Sequence, residues 1–426
     1  MSQFGSTKFD YRDIPQGDDK ILVRDVVRLI EGSPFKDDLI RVLKIDEIAN
    51  EEITISGVSK LVNSVDSESR NFLKFDIKSD FKNLNFFHNH DDDKIEIGFN
   101  DLSEISFPNI VDEEKEKANI LSRLKFAKSK YSAINSLFKT TYKFNDYATQ
   151  LSNANLSTIV INNLELLKQV YSSDRKHTRR YRMIYDLSEE QYYFRALISE
   201  KRYQDYNIGV SVFIALILLH NGIKADTKKP KELYRVRYCE YNESYINVLF
   251  EKVNGKDVKE IGNVKFIVEL SNNEIAKGAV KFSGLFSITS RKGEEVGETV
   301  VKNELSTSIL SLSHGTTPDS AIEGISFAAQ LNEAEADFLK DVEQIKNAGN
   351  PDILRHIFKT KIEAGRTLSQ NKKESIKKLL DTTINSFHEL LVLMKKADLL
   401  IADENIESKD YLKYIMHKVL TENRRK

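Results

Sequence analysis

YSSDRKHTRRYRMIYDLSEEQYYFRALISEKRYQDYNIGVSVFIALILLHNG, from Tyr171 to Gly222, holds three chemistries in succession. It opens with a cationic cluster, Arg175, Lys176, Arg179, Arg180 and Arg182, with His177 among them. A tyrosine-rich segment follows, carrying Tyr181, Tyr185, Tyr192, Tyr193, Tyr203 and Tyr206, and leads into the most apolar run of the chain, Val210 to Leu219. Ser188 stands three residues before Gln191, the spacing of a capping box, so the tyrosine segment is expected to be helical. Gly209 interrupts it, and Val210 to Leu219 predicts a buried helix ending at Asn221 and Gly222. Together these give a cationic, aromatic rim on a buried anchor.

Downstream the hydrophobic period changes to two. Residues 233–239, 245–253, 264–270 and 279–290 read as strands, with turn signals at Asn254-Gly255, Asn272-Asn273 and Lys292-Gly293. From Thr317 the pattern is helical, punctuated by Thr317-Pro318, by Asn332 with Glu335, and by Asn350-Pro351. The longest helix is expected from Asn371 to Ile401, roughly 45 Å at ~1.5 Å per residue. Upstream, Asp112 is placed to cap a helix whose apolar positions continue to Phe138, and a second helix is expected from Leu156 to Tyr171. Before Pro108, two short helices broken at Gly32 to Pro34 precede alternating segments at Phe72 to Ile77, Leu84 to Phe87 and Ile95 to Phe99, with a hairpin turn at Asn89 to Asp93. The expected fold is α+β and predominantly helical: a small N-terminal α/β-hairpin unit, a central antiparallel sheet of about four strands and a C-terminal helical bundle. The corresponding units are 1–110, 111–226, 227–300 and 301–426.

Composition bounds the function. With 40% hydrophobic and 30% charged residues and six prolines, the 426-residue chain has the make-up of a globular protein of several units. Its single cysteine, Cys239, excludes an intrachain disulfide and reads as a packing residue in a strand. No apolar run approaches a membrane span and the first residues lack a signal-peptide core, so the expectation is a cytoplasmic protein without a membrane partner. The net charge of -1 conceals a division: residues 1–110 hold 14 Lys+Arg against 22 Asp+Glu, and residues 111–426 hold 50 against 43.

No Gly-rich phosphate loop, dinucleotide fingerprint or nucleophile elbow occurs, which argues against the common nucleotide-binding and hydrolase folds, and no cofactor is expected. Two constellations suggest metal chemistry. His88 and His90, followed by Asp91, Asp92 and Asp93, place two imidazoles on one side of a strand, although a solvated turn has the same composition. Asp66 with Asp76-Ile77-Lys78 matches the arrangement in which two carboxylates hold a divalent cation and a lysine orients water at a phosphate. The cationic segment has a simpler warrant, since guanidinium groups neutralise phosphates and interleaved tyrosines stack on bases. A second basic region, with Arg355, Lys359, Lys361, Arg366, Lys372, Lys373, Lys377 and Lys378, could complete a groove. The competing reading pairs these arginines with Glu189, Glu190 and Glu200 and puts the tyrosines in the core.

The expected function is that of a non-catalytic nucleic-acid-binding or scaffolding subunit of a larger assembly. Phosphate contacts would come from Arg175, Lys176, Arg179, Arg180, Arg182, Tyr181, Tyr185, Arg355, Lys359, Lys361, Arg366, Lys372 and Lys373, and other protein subunits would be the partners. The alternatives are a metal-dependent nuclease of a prokaryotic DNA-processing or phage-defence module using Asp66, Asp76 and Lys78, and an interaction or homo-oligomeric structural protein using the long C-terminal helix.

Overall fold

The structure, a computed structural model, describes residues 6–14, 21–90, 94–107, 113–171, 178–199, 203–225, 234–275, 278–303, 308–323, 326–346 and 349–421. Its frame is a curled sheet of nine strands, in which Thr7–Asp10, Tyr234–Tyr241, Tyr245–Lys252, Gly262–Asn273, Val280–Lys292 and Glu295–Lys302 lie in that order. Lys256–Val258, Ser308–Leu312 and Ile55–Ser56 pair at its margins, the last of them parallel. Helix Ile208–Ala225 crosses one face, and the residues of its apolar run are all buried. Helices Phe327–Lys346, Phe387–Leu400 and Ile406–Thr421 pack on the sheet, and the N-terminal helices up to Ser69 close the core around Ile208–Ala225. A helix apolar on every side needs such cover on every side.

A second sheet holds Ile105–Ser106, Phe72–Asp80, Thr178–Asp186, Gln191–Ile198 and Lys128–Ser129 in that order. With hairpin Leu84–Asn89/Lys94–Phe99 and helices Glu113–Arg123, Ala133–Leu137, Asn145–Asn153 and Ser157–Tyr171, it encloses its own core. The main core draws its buried residues from positions 9–65 and 206–420, whereas this second core draws on positions 75–194. The smaller unit is thus set into the chain between two segments of the larger one.

These observations correct the predominantly helical reading with a four-stranded sheet: the chain is mixed, 47% helical and 30% strand, around a nine-stranded sheet. The four expected strands are present, but Thr7–Asp10, Glu295–Lys302 and Ser308–Leu312 join them. Glu295–Lys302 carries three charges and Gly297, so its period-two signal is weak in sequence. The tyrosine segment is a hairpin. Asp186 Oδ1 accepts from Ser188 N at 2.9 Å and from Glu189 N at 3.2 Å, an Asx turn, and Glu190 adopts φ +52°. The serine that suggested a helix cap belongs to the turn between two aromatic-rich strands. The expected helix from Asn371 to Ile401 divides into Gln370–Leu379 and Phe387–Leu400, because Ser386 caps the second at Glu389 N (3.2 Å) and Asp352 Oδ1 accepts from Ile384 N at 3.1 Å. The pattern running to Phe138 breaks after Arg123, where Lys128–Ser129 joins the second sheet. Among the described residues no helix is long and apolar enough to cross a membrane.

Candidate functional site

Strand Thr178–Asp186 lies between Phe72–Asp80 and Gln191–Ile198, with Arg180 opposite Lys78 and Arg182 opposite Asp76. Alternation sends Tyr181 and Met183 into the smaller unit's core and Arg180 and Arg182 toward the nine-stranded sheet. Arg182 is fully buried. Its Nε donates to Asp76 Oδ1 at 3.2 Å, its Nη1 to the Glu274 carbonyl at 2.8 Å and its Nη2 to Asp205, and its guanidinium lies over the Tyr203 ring, 5.0 Å from the centroid. Arg180 Nη2 donates to Asp76 Oδ2 at 2.7 Å.

Glu274 is the centre of this joint. Its carboxylate accepts from Lys74 Nζ at 2.9 and 3.0 Å, from Arg195 Nη1 at 2.8 Å and from Ile208 N at 2.9 Å, the last satisfying a free amide at the start of the central helix. Its backbone N–H donates to Ser244 O at 2.8 Å, and its carbonyl also accepts from Tyr203 OH at 3.0 Å. Burial pushes the Glu274 carboxyl upward, but Lys74, Arg195 and Arg182 outweigh it and hold the group well below the usual carboxylate range. Glu274 therefore ties two strands of the smaller unit and a helix N-terminus through its carboxylate, and the loop at Tyr203 through its carbonyl, to the end of strand Gly262–Asn273 of the large sheet. A buried ion set of this kind is stable only if every charge keeps its partner.

The sequence candidates fall as follows. Asp76 joins Arg180 and Arg182, and both its oxygens are occupied by them. Asp66 lies on helix Val58–Ser69 paired with Arg70 at 2.7 Å, and Lys78 pairs with Glu104 at 2.6 Å. The structure thus engages the three in different ion pairs. His88 and His90 pack ring to ring at 4.2 Å, with His88 Nδ1 3.2 Å from Thr158 Oγ1. Asp91, Asp92 and Asp93 lie outside the described residues, among which no group of three or more His, Cys, Asp or Glu is arranged around a metal position. Tyr181 packs on Phe99 and Phe194, and Tyr185 on Tyr192. Arg179, half-buried, donates to Thr178 O at 2.9 Å, and Arg175, Lys176 and His177 lie outside the described residues.

In the C-terminal region Arg355 is buried against Asp352 at 2.7 Å, Lys359 pairs with Asp381, Lys372 with Asp403 at 2.7 Å and Lys377 with Glu363 at 2.9 Å. Lys361 is half-buried and Arg366 exposed, while Lys373 and Lys378 flank the paired Lys377 on helix Gln370–Leu379. The helices carrying these residues pack on Phe387–Leu400 and Ile406–Thr421, whereas Arg180 and Arg182 belong to the smaller sheet. On strand Thr178–Asp186, Arg180 and Arg182 are matched by Asp76 and Asp205, not by Glu189 or Glu190. Glu200 lies outside the described residues.

Sequence reasoning missed Lys74, Arg195, Asp205 and Glu274. The signal was a single charge inside an apolar strand, as Arg195 within Tyr192 to Ile198 and Lys74 between Leu73 and Phe75. It also missed a surface. Helix Ser157–Tyr171 buries Val160 and Leu164 in the smaller core, yet Leu156 just before it and Ile159, Leu166 and Val170 within it are 42%, 40%, 60% and 68% exposed. A helix with one apolar face buried and another in solvent is unusual for an isolated chain, because a single stripe suffices for packing. Comparison with protein-family models, with curated proteins and with solved structures finds no match.

Proposed function

We propose that the chain is a non-catalytic scaffolding subunit that docks a protein partner through the exposed face of helix Ser157–Tyr171. The observation that carries this reading is the second, uncharged apolar face of that helix. In a chain with 30% charged residues, an apolar helix face left in water marks a contact surface. The ion pairing of Arg180 and Arg182 supports it indirectly, since cations held by buried carboxylates serve the joint between the two sheets. To test it, the size of complexes containing the chain is measured in extracts of the cells that make it. A Leu166→Glu, Val170→Glu variant is expected to fold as the parent and to run at a smaller size; an unchanged size would remove this surface from the account.

A second reading keeps nucleic acid as a ligand of the C-terminal region. It is favoured by Arg366, Lys373 and Lys378, for which no carboxylate partner occurs among the described residues. Such cations, Arg366 and Lys378 exposed and Lys373 half-buried, contribute a salt-dependent, sequence-independent affinity. An Arg366→Ala, Lys373→Ala, Lys378→Ala variant that binds duplex and single strands as the parent does, with the same salt slope, rejects it.

A further inference from the structure

We infer that the occupant of this helix face is the same face of a second copy of the chain, packed antiparallel across a two-fold axis at Asn163. The inference deepens the scaffolding reading and rests on it. Within the helix Ile159, Asn163, Leu166 and Val170 follow at intervals of four, three and four residues, the alternation that keeps one stripe of a helix against a partner helix, and Leu156, the residue just before the helix, extends the row by an interval of three. The stripe is also symmetric about its middle. Leu156 and Val170 each stand seven residues from Asn163, and Ile159 and Leu166 stand four and three residues from it.

Antiparallel pairing about that centre sets Leu156 against the partner subunit's Val170, Ile159 against the partner subunit's Leu166, and Asn163 against the partner subunit's Asn163. An isologous contact requires this self-complementarity, because every group meets either its own image or its symmetry mate. The chemistry satisfies the requirement. No residue of the stripe is charged, so none repels its image, although charged residues make up 30% of the chain. The nearby Glu165 and Lys168 pair with each other at 3.0 Å. A carboxamide carries both donor and acceptor, so two asparagines across a two-fold exchange reciprocal hydrogen bonds. Slipping the register would bury that amide against leucine without a partner, which gives Asn163 the role of fixing alignment. The helix is about 22 Å long, and two such faces cover on the order of 1,000 Å² in total, at the low end for specific contacts, so the dimer is expected to be reversible and micromolar.

Cys239 is the only cysteine and is buried, so introduced thiols report without background. The full chain is followed by sedimentation over about 1 to 100 µM, a range suited to a contact of this size, and single-cysteine variants are oxidised with diamide. The mass is expected to rise from 49.0 kDa toward twice that value, and Leu166→Glu is expected to hold it at 49.0 kDa with unchanged melting. Asn163→Cys should crosslink to itself, whereas Leu156→Cys and Val170→Cys should crosslink to each other when mixed and not to themselves. A parent that stays at 49.0 kDa with no Asn163→Cys crosslink overturns the inference, as does self-crosslinking of Leu156→Cys. The scaffolding reading fails separately, only if Leu166→Glu, Val170→Glu leaves the complex in cell extract unchanged.

Discussion

Replacing Glu274 by Gln preserves shape and removes one charge from the joint between the two sheets. The carboxylate now accepts from Lys74, Arg195 and the Ile208 amide. Glutamine offers one acceptor oxygen and turns an NH2 group toward donors that already point inward. Two cations are then left without their counter-charge, Arg195 fully buried and Lys74 nearly so. Breaking a buried ion set by removing one member costs about 3–5 kcal/mol. For a cooperative unit of this length that corresponds to a melting point lower by about 3–6 °C, read by calorimetry and checked by urea unfolding. The pH dependence carries a sign as well. The folded-state pKa of Glu274 is held below its ordinary 4.5, so its contribution is fully present above that value and is lost as pH falls from there toward the depressed pKa. The gap between parent and Glu274→Gln should therefore be constant near neutrality and narrow below about pH 4.5. A loss below 1 kcal/mol, or a gap that widens in acid, refutes the reasoning.

Three further outcomes follow from the same packing. Alanine normally stabilises a helix relative to glycine by about 1 kcal/mol, but a Cβ at Gly209 would stand 2.4 Å from the Leu29 carbonyl oxygen, so Gly209→Ala is expected to lose about 1–3 kcal/mol in urea unfolding. Cys239 is buried and its thiol is pushed upward by burial and by Glu240, so a thiol-specific disulfide reagent should label it only after denaturation. Arg182→Lys keeps one positive charge but loses the planar fork that reaches Asp76, Asp205 and the Glu274 carbonyl at once, and should melt well below the parent.

Local patterns in the sequence carried much of the architecture. The four central strands, the apolar helix after Gly209 and the β-hairpin at Leu84 to Phe99 were visible because each has a strong period and sharp ends. The hairpin from Thr178 to Ile198 was not, because Ser188 and Gln191 satisfy a helix-start spacing while the aromatic and β-prone residues around them favour strands. The stretch from Asn371 to Ile401 is apolar at helical spacing throughout, and the break is marked by the local Ser386 cap on Glu389 N and by a long-range bond between Asp352 and Ile384. Site residues were harder still. Arg182 reads as a surface cation until Asp205 and the Glu274 carbonyl, distant in sequence, come within bonding distance of it. The stripe on helix Ser157–Tyr171 was written in the spacing, but which of two apolar faces meets the core depends on the neighbouring elements.

The claim at the centre of this account is that the charges of strand Thr178–Asp186 and its neighbours act together as the joint between the two sheets. A double-mutant cycle in urea between Glu274→Gln and Arg195→Met tests it most directly, since the two side chains meet at 2.8 Å. The account predicts that the second substitution costs far less once the first is present, with an interaction energy of about 2–3 kcal/mol. Losses that add to within ~0.5 kcal/mol would contradict it.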